Sequence, residues 1–198
     1  MVLEIPATVV NLESGTTATV EPFRVMKNCV TVAEYDEFCR QARYQTTAEQ
    51  NEDFANFRDN YAIEDLSAHD RAATVAYLLS WYDAAAYCEW KRGRLITETE
   101  WLAASVLKWD RIQPLPVEKL FNEQWEASKS AHQMYIAGPE WTSKLTSDGL
   151  SCVRSWPRYF LTQGWNDDPV QKNSKALARD FYNDVISFRL CFACTRNQ

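Results

Sequence analysis

Between Ser80 and Leu107 the chain carries two helix starts with a glycine between them, and this run constrains the fold more than any other part. Ser80-Trp-Tyr-Asp83 opens the first helix, in which Trp81, Ala84, Ala85 and Cys88 recur at i, i+3, i+4 and i+7 as one buried stripe. Gly93 stops that helix as a residue suited to the left-handed C-terminal conformation. Thr97-Glu-Thr-Glu100 then forms a capping box, the Thr hydroxyl accepting from the Glu backbone amide while the Glu carboxylate returns to the cap. It leads into Trp101, Leu102, Ala104 and Leu107.

A similar box, Thr31-Val-Ala-Glu34, starts an earlier helix whose Val32, Tyr35, Cys39 and Ala42 recur at helical spacing and should face the core. Before it, residues Val20 to Lys27 alternate loosely as one strand. Thr46 to Arg71 is polar and acidic, with scattered Phe54, Phe57 and Tyr61 but no sustained period, and reads as a long loop. Beyond Lys108, Pro114 and Pro116 exclude a continuous helix. Two strand-like pieces follow, Leu150 to Trp156 and Val185 to Phe192. In the second, Ile186, Phe188, Leu190 and Phe192 alternate with Ser187, Arg189 and Cys191, the pattern of a half-buried strand.

A chain of 198 residues with nearly half of them apolar is the right size for one domain, expected over residues 1–198. Trp, Tyr and Phe are plentiful and Gly is scarce, so large rigid side chains should fill the interior. A formal net charge of −6 with no Lys/Arg cluster argues against nucleic acid. The N-terminal Met1-Val-Leu-Glu-Ile-Pro has no basic region before an apolar run, and the apolar stretches fall short of a membrane span. The expectation is a cytoplasmic chain that does not engage membranes, with its six cysteines kept as thiols and packed as small hydrophobes.

Several of these pieces, in this order, resemble the formylglycine-generating-enzyme and sulfatase-modifying-factor family. Asn28-Cys-Val-Thr-Val-Ala-Glu-Tyr35 is similar to its "EVT-x-x-x-Y" helix start. Ser80-Trp-Tyr-Asp-Ala-Ala-Ala-Tyr-Cys-Glu-Trp90 and Gly93-Arg-Leu-Ile-Thr-Glu-Thr-Glu-Trp101 are similar to "SW-x-DA-x-AYC-x-W" and "GRLPTEAEWE", the most specific part of the match. Glu140-Trp-Thr142 resembles the end of "NVWEWT", Val153-Arg-Ser-Trp156 a shortened "RGGSW", and Ser187-Phe-Arg189 the terminal "GFR". The resemblance implies a C-type-lectin-like α+β domain, two main helices packed on small irregular antiparallel sheets with many loops.

It also implies what chemistry to look for. The family's oxidase activity uses a cysteine pair after the "GGS" segment, soft sulfurs suited to Cu(I). The matching Ser155-Trp-Pro-Arg-Tyr-Phe160 holds no cysteine, and Cys152 stands alone before it. Cys191 and Cys194 form a close pair, but on a continued strand an odd separation points them to opposite faces. His69 and His132 have no ligand partner at helical or strand spacing, and Ala137-Gly-Pro-Glu-Trp141 lacks the asparagine of the family's calcium segment. Asp83, Glu98 and Glu100 sit at helix starts, where the helix dipole accounts for them. No catalytic residue, metal or cofactor is therefore assigned. The alternative is a metal-dependent oxidoreductase or peptide-maturation factor with a displaced site drawn from Cys152, Cys191 or Cys194.

Residues 156–184 have the composition of a binding surface, since rigid aromatics offer contact area at low entropic cost and short polar groups add hydrogen bonds. The candidates are Trp156, Arg158, Tyr159, Phe160, Trp165, Asn166, Asp168, Arg179, Phe181, Tyr182, Asn183 and Asp184, binding an unidentified protein or small molecule. The resemblance extends to the variable proteins of diversity-generating retroelements, which vary surface residues just before the terminal "GFR" of this scaffold.

Overall fold

The computed structural model describes residues 1–12, 14–53, 75–105, 140–154, 174–182 and 186–193. Within them the strands are β1 (Val2–Ile5), β2 (Thr8–Asn11), β3 (Thr17–Val20), β4 (Phe23–Met26), β5 (Arg94–Leu95), β6 (Glu140–Leu145), β7 (Ser151–Arg154), β8 (Ser174–Leu177) and β9 (Leu190–Ala193). The helices are α1 (Val32–Ala42), α2 (Thr47–Gln50), α3 (Trp81–Trp90) and α4 (Glu98–Ser105). This is an α+β arrangement.

Its helix starts are set locally. Thr31 and Glu34 exchange both bonds of a capping box at α1, as Ser80 and Asp83 do at α3. At α4, Thr97 N donates to Glu100 Oε2 at 2.9 Å and Glu100 N to Thr97 Oγ1 at 3.1 Å. A fourth box, Thr46 with Glu49, starts α2 inside the stretch expected to be loop. Its T-x-x-E signature was present in the sequence. The single strand expected over residues 20–27 divides into β3 and β4 at Glu21 and Pro22, because proline has no amide to donate to a ladder.

The sheets are small and antiparallel. One has the order β1-β4-β9-β5, with Val2 opposite Met26, Val25 opposite Cys191, and Leu95 opposite Leu190. A hairpin pairs β2 with β3, and a third sheet has the order β6-β7-β8 with an irregularity between Trp141 and Leu145. Ser187, just before β9, makes a parallel bridge to Glu140 at the start of β6.

Strand β9 divides two cores. Leu190 packs with Tyr35, Phe38, Leu79, Tyr87, Trp141 and Phe188, whereas Cys191 packs with Ile5, Phe23, Val25, Ile96 and Trp101. Neighbouring residues of a strand face opposite ways, so the two clusters lie on the two faces of this sheet. The half-buried reading of residues 185–192 is thereby corrected, since every residue from Ile186 to Cys191 is buried. Alternation failed as a guide because Arg189 and Ser187, although polar, face protein and not water.

The helical stripes also shift slightly. In α1 the buried residues are Val32, Tyr35 and Phe38, while Cys39 is partly buried and Ala42 exposed. In α3 they are Asp83, Ala84, Tyr87 and Cys88, and Trp81 and Ala85 are partly buried. The aromatic surplus becomes one cluster of rings, with Tyr35 stacked on Tyr87 at 5.6 Å, Tyr87 edge-on to Phe188 at 5.5 Å, and Phe38 tilted against Trp90 at 5.4 Å between centroids. Such pairs add to plain area burial.

Gly93 has a different role from the one expected. The left-handed residue after α3 is Arg92, with φ of 57°, and Gly93 does not adopt positive φ. A Cβ there would lie 2.5 Å from Leu190 Cδ1 and 2.8 Å from the Cys191 carbonyl oxygen. Glycine is needed so that the start of β5 can approach β9. Gly93→Ala is expected to cost about 1–3 kcal/mol as overpacking, read from a lowered urea midpoint at unchanged slope; an unaltered midpoint would remove this account.

Candidate functional site

Three of the twelve candidates, Arg179, Phe181 and Tyr182, lie among the described residues, in the turn after β8. Trp156, Arg158, Tyr159, Phe160, Trp165, Asn166, Asp168, Asn183 and Asp184 lie outside them. The turn is fastened to the start of α3 through its backbone, Trp81 N donating to the Arg179 carbonyl at 3.1 Å. Phe181 N closes the turn on the Ala178 carbonyl at 3.1 Å.

Side chains then gather around that contact. The Arg179 guanidinium carbon lies 5.2 Å from the Tyr82 ring centroid and 5.8 Å from that of Trp81, both within range of a cation–π interaction. Trp81 is itself held by its indole, which donates to the Thr142 carbonyl at 2.8 Å. Tyr182 reaches the residues after α2, accepting from Asn51 Nδ2 at 3.4 Å and donating to the Asp53 carboxylate. Tyr82 is 45% exposed and Phe181 37%, so two large rings face solvent on this surface.

Trp81, Tyr82, Asn51 and Asp53 thus join the candidate residues, and sequence reasoning missed all four as site residues. Helical spacing assigns Trp81 to the core stripe. Tyr82 carried a usable signal, as an aromatic off that stripe at a helix start.

The rigidity of this surface comes from Asp83, which is fully buried. Its Oδ2 accepts from Ser80 N at 2.8 Å, and its Oδ1 accepts from Thr47 N at 2.9 Å and from the Tyr44 hydroxyl at 3.0 Å. One carboxylate therefore ties the chain between α1 and α2 to the cap of α3. Burial pushes its pKa above the usual aspartate value, although these hydrogen bonds oppose the shift. The helix-dipole account of Asp83, Glu98 and Glu100 is too weak, since each has specific partners. Glu100 pairs with Arg94 at 2.5 Å, and Glu98 with Lys144 at 2.5 Å and Arg154 at 3.5 Å.

The described thiols are packed as core residues. Cys29, Cys88, Cys152 and Cys191 are buried. Burial pushes Cys29 and Cys191 up to about 12 and raises Cys88 as well, so these groups stay protonated at neutral pH and are poor nucleophiles. Cys194, the other member of the close pair, lies outside the described residues. Among the described residues no group of three or more His, Cys, Asp or Glu is placed to hold a metal ion, and no helix is long and apolar enough to cross a membrane.

Fold and surface together define an α+β domain whose helix starts and small sheets support an aromatic, arginine-bearing turn. The family model of the sulfatase-modifying factor enzyme 1-like domain matches residues 8–150, and the chain belongs to that family. The match spans the helices and ends before β7, β8 and the turn at 178–182. No curated protein matches the chain.

Proposed function

We propose that this chain is a non-catalytic ligand- or protein-binding domain on a C-type-lectin-like scaffold, with residues 156–184 as its binding surface. Family membership and the small antiparallel sheets support the scaffold. One observation carries the binding reading: a turn bearing Arg179, Phe181 and Tyr182 is fastened to a capped helix start, with exposed rings beside a guanidinium in cation–π range. Rigid aromatics with an arginine are the usual anchors of recognition surfaces. The sequence at Ser155 to Phe160, lacking the family's cysteine pair, agrees with a scaffold that binds without reacting.

A random-peptide display library panned against the full chain tests this. Synthetic copies of the recovered peptides are expected to lose about tenfold or more in affinity for Tyr159→Ala or Trp165→Ala chains, within the range of an aromatic anchor. The variants should keep the parent unfolding midpoint. Affinities unmoved by both substitutions would end the proposal.

The proposal extends to the variable proteins of diversity-generating retroelements. It expects a near-copy of the 3′ coding end in the neighbouring DNA, differing at adenines, and natural copies of the chain that differ between Trp156 and Asp184. Uniform copies would refute this extension alone.

A further inference from the structure

Arg179 is partly exposed, its guanidinium within cation–π range of Trp81 and Tyr82 and without a carboxylate partner among the described residues. Among the described residues four other arginines form ion pairs, Arg40 with Glu37, Arg94 with Glu100, Arg154 with Glu98 and Arg189 with Glu140, whereas Arg24, Arg43 and Arg92, like Arg179, show no such pair. What sets Arg179 apart is its place beside Trp81 and the exposed Tyr82, in the turn that also carries the exposed Phe181.

Its two aromatic neighbours, whose rings stand at 82° to each other, both lie within cation–π range of the guanidinium carbon. A cation–π contact takes up no conventional hydrogen-bond acceptor, so it leaves the guanidinium N–H donors available to a carboxylate. Trp81 cannot swing away easily, since its indole is bonded to the Thr142 carbonyl. The turn is fixed through the Arg179 carbonyl, which leaves the side chain uncommitted.

We infer that Arg179 receives a single carboxylate from a protein ligand, an Asp or Glu flanked by an apolar or aromatic residue that packs on the exposed Tyr82 and Phe181. The inference rests on the binding reading above and names the chemistry of its partner. A planar fork matches a carboxylate in two parallel hydrogen bonds, and two exposed rings supply apolar area nearby. A polyphosphate chain fits less well. The net charge of −6 opposes an extended polyanion, which requires several cations, whereas one carboxylate in contact is governed by the local guanidinium within a screening length of about 8 Å.

The peptides recovered by display against the full chain are the probe, titrated by fluorescence anisotropy. They are expected to share an acidic residue beside an aromatic or aliphatic one, and changing that acid to its amide should weaken binding about tenfold to a hundredfold. Arg179→Gln should weaken the acidic peptide by the same factor and leave the amide peptide nearly unmoved. The substitution keeps the backbone carbonyl that receives Trp81, and an unchanged unfolding midpoint verifies the fold.

Peptides with no shared acid, or an amide peptide that loses as much as the acidic one in Arg179→Gln, overturn the inference. If such peptides still lose affinity on Tyr159→Ala or Trp165→Ala, the binding reading stands without it. A short single-stranded oligonucleotide that displaces the peptides from the parent chain but not from Arg179→Gln would assign the arginine to phosphate and overturn it equally. Recovery of no peptide at all removes both readings.

Discussion

Arg189→Met is expected to cost about 3–5 kcal/mol of folding stability, the range for breaking a buried ion pair by removing one partner. Arg189 and Glu140 are both fully buried, and their bonds are bidentate, Nε to Oε2 at 2.6 Å and Nη2 to Oε1 at 2.5 Å. The remaining arginine nitrogen donates to the carbonyls of Lys27 at 2.7 Å and Met26 at 3.2 Å. The pair thus joins the ends of β4, β6 and β9. Methionine fills the volume but leaves Glu140 as an uncompensated charge in the interior.

Glu140→Leu alone should be similarly damaging for the mirror reason. The double change Glu140→Leu with Arg189→Met should recover part of the loss, because neither charge is then stranded and the costs of contacting residues do not add. Chemical denaturation of the four proteins measures this coupling. Single substitutions costing under about 1 kcal/mol, or a double variant as unstable as the summed singles, would contradict the account.

Asp83→Ala is expected to cost about 3–5 kcal/mol, since it strands the Ser80 and Thr47 amides and the Tyr44 hydroxyl, at about 1–3 kcal/mol for each donor left buried and unpaired. Asp83→Asn should cost less, because its oxygen can still accept from Thr47 and Tyr44 while its amide opposes the Ser80 amide. The pH dependence has a definite sign. Burial raises the Asp83 pKa in the folded state, so folding takes up a proton between the ordinary aspartate value and the raised one. The stabilisation linked to that proton is complete below the ordinary value and is lost as pH rises through the raised one. The parent's advantage over Asp83→Asn should therefore shrink across that interval; an advantage that grows with pH would reverse the assignment.

What could be read from the sequence was what neighbouring residues decide among themselves. The boxes at Thr31 and Thr97, and the helix opened by Ser80, were legible because donor and acceptor lie three residues apart. The burial of Arg189 was not, because its partner Glu140 is distant in sequence, and a charged residue in an alternating pattern is ordinarily taken to face solvent. Gly93 was misread for the same reason: its constraint is the approach of Leu190 and Cys191, not the helix it follows. At the candidate site, composition brought out Arg179, Phe181 and Tyr182. Nothing local could connect them with Trp81, Tyr82, Asn51 and Asp53, which reach that turn only through the tertiary fold.

The place of β9 between β4 and β5 also bears on how the chain matures during synthesis. Its two flanking strands are translated well before it, so the ribosome must release residues 190–193 before that sheet can close. Until then β4 and β5 present unpaired edges beside apolar side chains such as Phe23, Val25 and Leu95, the kind of exposure that invites chaperone capture or aggregation. Nascent chains halted before residue 190 should accordingly remain protease-sensitive in both cores, with protection arriving together in a late step.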